Sequence, residues 1–202
     1  MVDQIYAAIV GGDLTAGQQV TELGLARQLG VSQPTIREAL IELEHQGFVR
    51  KRSAHKTFIT LLSERNINEI YLVRTTLEAL VAELLASSAT VNLEECEAAC
   101  QRMADAAKRG RSPEFHQADL DFHRCLWRAT GNQTIVDLLE QLVPQLFAFV
   151  IIQHAVRGRA VLRASAEEHG RLLRLIRAGD RDAARKMMEA SLQQAQAEDS
   201  EL

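Results

Sequence analysis

Little in this chain favours a secreted, membrane or β-rich protein. Three cysteines among 202 residues (Cys96, Cys100 and Cys125) cannot all pair, and so few thiols suit a reducing compartment better than a disulfide-stapled one. With three prolines and 4% aromatics, a sandwich or barrel would be short of turn and core residues, so helices are favoured. Apolar runs are interrupted by charge every few residues, so no segment is expected to cross a bilayer and no membrane partner is expected. The opening Met1-Val2-Asp3-Gln4 lacks the basic and apolar regions of a secretion signal, and a cytoplasmic location is expected. What remains is an ordinary globular mix, 47% apolar and 25% charged, enough for one large domain or two modest ones.

The net charge of −4 is unevenly spread. Residues 1–60 carry six Lys/Arg against six Asp/Glu, whereas residues 61–202 carry 17 against 21. Four of the six N-terminal cations, Arg50, Lys51, Arg52 and Lys56, crowd into one seven-residue loop. A basic spot on a neutral domain is a modest signal for nucleic acid, and a solvated charged loop accounts for it equally well.

The first sixty residues predict three short helices and a small hairpin. Helix one covers about Asp3–Val10 and stops at Gly11-Gly12, and a turn-rich stretch, 12–17, follows. Thr21 is a candidate N-cap for helix two, with Leu25, Ala26 and Leu29 inward and Gly30 closing it. Ser32 is a candidate N-cap for helix three, with Pro34 in the first turn and Ile36, Ala39, Leu40 and Leu43 inward. Phe48-Val49-Arg50 and 57–61 read as strands flanking the basic loop. Two helices across a short turn, then a basic-tipped hairpin, make a winged helix-turn-helix pattern. Outward on helix three stand Gln33, Thr35 and Arg37; arginine can grip guanine or phosphate, glutamine can read adenine, and small hydroxyls bind phosphate. An ion pair within the helix is the alternative for Arg37, but Leu40 and Ile41 occupy the positions three and four residues on.

Residues 63–202 predict six or seven amphipathic helices, an antiparallel bundle. Their breaks fall near 87–92, at 110–113, at Gly131-Asn132 and at Gly179-Asp180; Pro144 predicts a kink or a division within Gln133–Ala155. Some polar residues fall on apolar faces. In the helix marked by Phe115, Phe122 and Leu126, Asp119 lies on the apolar side with His123 beside it, one turn apart. His169 sits within the stripe of Leu162, Ala166, Leu173 and Ile176, Ser191 within that of Ala184, Met187, Met188 and Ala195, and Arg74 and Glu78 also turn inward. Buried groups of this kind need partners. A divalent transition metal (Zn, Ni, Mn or Fe) would satisfy Asp119, His123 and His169, and an Asp–His hydrogen bond plus a separate core histidine is the alternative. Arg74 could bind an organic anion or pair internally with Glu78. His116 is too far along the helix axis to share the ion, and Cys96 and Cys100 are read as core filling.

The string from Leu25 to Leu40, Leu-Ala-Arg-Gln-Leu-Gly-Val-Ser-Gln-Pro-Thr-Ile-Arg-Glu-Ala-Leu, followed by Leu43 to Val49, resembles the winged-helix domain of GntR-family transcription regulators. Residues 73–78, 119–123, Gly131-Asn132, Glu168-His169 and Gly179-Asp180 are similar to the FCD-type effector domain of the FadR subfamily. The resemblance implies a winged-helix DNA-binding domain at 1–62 and an effector-binding and dimerisation domain at 63–202. It also implies a homodimer on a palindromic operator and a small-molecule effector, often a carboxylate. Many members hold a metal through one Asp and three His; Asp119, His123 and His169 match three positions, and Ser191 replaces the fourth. Gln33 stands where many relatives have Arg, and Lys56 stands near a usual wing glycine. The expected roles are therefore Ser32, Gln33, Thr35, Arg37, Arg50, Lys51, Arg52 and Lys56 on DNA, and Arg74 and Ser191 on the effector. Two rival readings are a metal-dependent hydrolase on a helical bundle, with Glu168 or Glu78 as base, and a purely architectural DNA-binding protein.

Overall fold

A computed structural model describes residues 1–53, 56–153 and 158–201. In chain order they form α1 (Val2–Val10), β1 (Gln19–Val20), α2 (Glu22–Leu29), α3 (Gln33–His45), β2 (Val49–Ser53) and β3 (Lys56–Ile59). There follow α4 (Glu64–Ala86), α5 (Glu94–Arg109), α6 (Ser112–Ala129), α7 (Gln133–Leu142), α8 (Pro144–Ile152), α9 (Arg159–Arg177) and α10 (Arg181–Asp199). The molecule is mostly α, as the periodicity predicts.

The chain divides into two compact units, and the first holds Met1–Ser63 together with the segment beginning at Pro144. Its helices start where the sequence provides oxygen acceptors. The Thr21 hydroxyl accepts from the Gly24 N–H, and the Ser32 hydroxyl from the Thr35 N–H. Gly30, at φ +67°, ends α2 in the left-handed conformation. The sheet corrects the expected hairpin: β1 adds a third strand, in the order β1-β3-β2, all antiparallel, with Gln19 opposite Phe58 and Val49 opposite Ile59. A two-residue strand carries no alternation to read, and its partner lies almost forty residues away.

Pro144 divides the predicted 133–155 helix into α7 and α8; Ala155 lies outside the described residues. The stretch Gln133–Ile152 does reach the length and apolar composition of a membrane-crossing helix, contrary to the expectation above. It is nevertheless two helices, and 61% of its most apolar window is buried within the protein. Every residue of α8 except Gln145 is buried. Ala148, Ile151 and Ile152 complete a single core with Ile5, Ile9, Ile36, Leu43 and Phe48. Sequence periodicity assigns this segment to the bundle; the structure places it inside the core of the winged helix.

The second unit contains α4 to α7, α9 and α10. Small residues at the α5 and α6 inner faces, Ala99, Ala106, Ala107 and Ala118, are buried and permit close approach of the helices. Around them Met103, Phe115, Phe122, Leu126 and Trp127 fill the interior. Cys96 is buried among them as a free thiol, consistent with core filling. The α10 helix lies along α4, and near its end the Tyr71 hydroxyl donates to Asp199 at 2.6 Å.

Candidate functional site

In the N-terminal unit, Ser32, Gln33, Thr35 and Arg37 are all exposed on the first turns of α3, while Ile36, Ala39 and Leu40 on its inner face are buried. The Ser32 and Thr35 hydroxyls share a 2.8 Å hydrogen bond, so the cap also orders the outward rim of the helix. Arg37 does not stand alone. Its Nε lies 3.0 and 3.1 Å from the two carboxylate oxygens of Glu22, and its Nη2 lies 2.7 Å from Oε2. Helical spacing points only to neighbours within α3, and the acid stands on α2 instead, fifteen residues back. Glu22 is thus a residue that sequence reasoning missed, although a glutamate directly after a helix cap was there to be read.

Arg50, Lys51 and Arg52 are exposed on β2, and Lys56 is exposed at the start of β3. The Arg52 guanidinium lies 5.2 Å from the centre of the Phe58 ring, and the Lys51 N–H is anchored by Glu44 at 3.1 Å. These contacts fix the base of the wing. Ala54 and His55 lie outside the described residues.

In the second unit, α6 presents Asp119 and His123 on one face, and α9 brings His169 against them. The three ligand atoms lie within 4.8 Å of one another. Asp119 Oδ1 is 3.0 Å from His169 Nε2 and 3.5 Å from His123 Nε2. It is buried, yet the angles give it no hydrogen bond with either. Two nitrogens and an oxygen turned toward one point, without hydrogen-bond geometry between them, fit an ion bonded at about 2.0–2.2 Å.

The groups behind these ligands fix their tautomers. His169 Nδ1 donates to the Ser165 carbonyl at 2.8 Å, leaving the Nε2 lone pair directed at Asp119. His123 Nδ1 is bonded to Glu78 Oε2, and Glu78 Oε1 accepts from Arg74 Nε at 2.7 Å. Arg74 and Glu78 are 3% and 0% exposed, a buried pair. Burial pushes the Glu78 carboxyl up, but the charges of His123 and Arg74 and hydrogen bonds from both outweigh it and hold it at about 2. Burial likewise opposes ionisation of Asp119, and the two imidazoles overcome it, holding that carboxyl well below the usual range. Burial alone would lower the His123 pKa; Glu78 raises it overall.

Arg74 pairs internally with Glu78, one of the two roles named for it above, and its guanidinium lies 5.5 Å from the Tyr71 ring centre. His116 is buried on α6 but is not among the converging ligands. Ser191 is half-buried on α10.

Comparison with known proteins places these features. Residues 1–59 match the model described as bacterial regulatory proteins, gntR family, and residues 69–194 match that of the FCD domain. The chain is 29% identical over 178 residues to the probable D-xylose utilization operon transcriptional repressor of Paenarthrobacter nicotinovorans, covering 88% of this chain and 77% of that protein. Its fold is similar to that of McbR/YncC of E. coli, with a TM-score of 0.77 at 21% identity over 99% of this chain and 95% of that one. It is also similar to the Zn2+-bound FCD domain of TM0439, with a TM-score of 0.52 at 25% identity over 70% of this chain and 96% of that one.

Proposed function

The chain belongs to the gntR family of bacterial regulatory proteins and carries an FCD domain, and from that premise we propose that it is a cytoplasmic homodimer that binds a palindromic operator and answers to a small carboxylate held at a divalent metal. At the coarser level it is a DNA-binding transcription regulator and not an enzyme, as its relatives are. Residues 1–62, with α8 packed into their core, carry the DNA-binding surface, and the rest of 63–202 carries the effector-binding and dimerisation surface. Ser32, Gln33, Thr35 and Arg37 face the major groove, and Arg50, Lys51, Arg52 and Lys56 grip the backbone.

The observation that carries this reading is the convergence of Asp119, His123 and His169, each imidazole locked through its other nitrogen. These residues would hold a Zn, Ni, Mn or Fe ion. Bound there, it would supply a Lewis-acidic centre for a carboxylate oxygen. The solved Zn2+-bound relative adds support. Serine at position 191, where the family resemblance puts the fourth ligand, would leave a coordination position for water or the effector itself. The hydrolase alternative lacks a base: Glu78 is committed to Arg74 and His123, and Glu168 pairs with Arg171 at 3.3 Å.

Asp119→Ala tests the reading. It is expected to abolish bound metal in elemental analysis. Thermal stabilisation by a panel of small carboxylic acids should go with it, while a gel shift on operator DNA persists. Retained metal, or unchanged carboxylate stabilisation, would sink it.

The homodimer rests on a stripe along α4, where Leu72 (71% exposed), Leu80 and Leu84 recur at multiples of four residues beside Val73. Four leucine or valine side chains along one helix fit a second copy of the same helix across a two-fold axis. Leu80→Glu is expected to give monomers in sedimentation analysis and to weaken operator binding, because two half-sites then bind independently. A dimer of unchanged affinity would argue against this face.

A further inference from the structure

The pairing of Arg37 with Glu22 does more than neutralise two surface charges. An exposed ion pair contributes little to stability, and this one is 56% exposed at the arginine. Its geometry is informative. Glu22 takes the side edge of the guanidinium, Nε with one Nη2 hydrogen. Among the described residues nothing takes the end edge, formed by Nη1 and the second Nη2 hydrogen. That end edge is a two-pronged donor whose spacing matches the O6 and N7 acceptors of guanine. A free arginine on a helix samples many rotamers and settles as readily on phosphate as on a base. One clamped along its side edge is already aimed, and its charge is already balanced, so phosphate attracts it less.

We propose that Glu22 is a positioning residue for DNA readout: it clamps Arg37 side-on so that the arginine reads one guanine in each half-site instead of gripping the backbone. This rests on the reading of the chain as an operator-binding regulator and adds to it the base class recognised and the residue that enforces the choice. It also predicts opposite signs for specific and non-specific binding. Removing an acid from a DNA-facing surface should strengthen binding to any duplex, whereas losing the clamp should weaken discrimination at one base pair.

The experiment uses the full chain. A randomised duplex library selected with the unmodified protein defines the preferred site. The site and a scrambled duplex are then titrated with Glu22→Ala, Glu22→Gln and Arg37→Ala proteins over a range of salt concentrations. Glu22→Ala is expected to lose about tenfold of its preference for guanine at one position per half-site. It should also bind the scrambled duplex more tightly, with a steeper salt dependence. Arg37→Ala should lose preference at the same position, and Glu22→Gln, which keeps one acceptor, should fall between. Full guanine preference in Glu22→Ala, or loss at a different position from Arg37→Ala, would overturn the proposal. So would a uniform weakening on both duplexes, the signature of a merely structural pair. If the unmodified protein selects no sequence, the regulator reading fails first, and that outcome is distinct from all of these.

Discussion

Gly47→Ala is expected to unfold the N-terminal unit at temperatures where the unmodified protein is intact, at a cost of about 2–5 kcal/mol. Two effects add at this position. Gly47 has φ +82°, where an L side chain costs about 1–2 kcal/mol. A Cβ there would also lie 2.5 Å from the carbonyl carbon and oxygen of Pro144 and 2.6 Å from the Gln145 nitrogen. These are backbone atoms at the start of a buried helix, so no flexible side chain can yield. Either α8 shifts out of the core that it completes with Ile5, Ile9 and Phe48, or the turn after α3 opens. Gly30→Ala supplies the control. Gly30 has φ +67°, and a Cβ added there would meet nothing within 4 Å, so the substitution should cost only the conformational part, about 1–2 kcal/mol. Urea denaturation of the two variants separates the terms. Equal losses would mean that the seat of α8 against Gly47 contributes nothing.

The contrast between these two glycines also marks what the sequence could reveal. Gly30 is local: a left-handed residue after a short apolar stripe, followed by the Ser32 cap, is legible within ten residues. The same holds for Thr21, for Pro144 as a helix divider, and for the one-turn spacing of Asp119 and His123. His169 could be found because it interrupts an otherwise apolar stripe. The α8 helix could not be placed, since a nonamer that is apolar all round has no face to read and its partners lie about a hundred residues away. Glu22 and Arg37 meet across the turn between two helices. Glu78 was legible as inward and as a partner for Arg74, but its bond to His123 spans 45 residues. Pattern reaches as far as one helix; beyond that, tertiary packing decides which buried groups meet.

Glu78→Gln probes the last of these connections and should produce two losses that a second substitution can separate. The amide matches the carboxylate in size, so packing is kept while the charge is removed. Arg74 is then a buried cation without its counter-charge, and breaking one side of such a pair costs about 3–5 kcal/mol. The amide also has one acceptor and one donor end, whereas Glu78 accepts from both Arg74 and His123. If the amide oxygen serves Arg74, its NH2 faces His123 Nδ1. That nitrogen must then become the acceptor, and the ring proton moves to Nε2, the atom needed as a ligand. Metal affinity in a competitive chelator titration should therefore fall about 10–100-fold. Arg74→Met combined with Glu78→Leu removes both charges. It should recover most of the stability in denaturation measured with chelator present, yet leave metal binding weak, because His123 still lacks its acceptor. Wild-type metal affinity in either variant would show that Glu78 does not orient His123. Recovery of metal binding in the double variant would reduce the pair to a stability element.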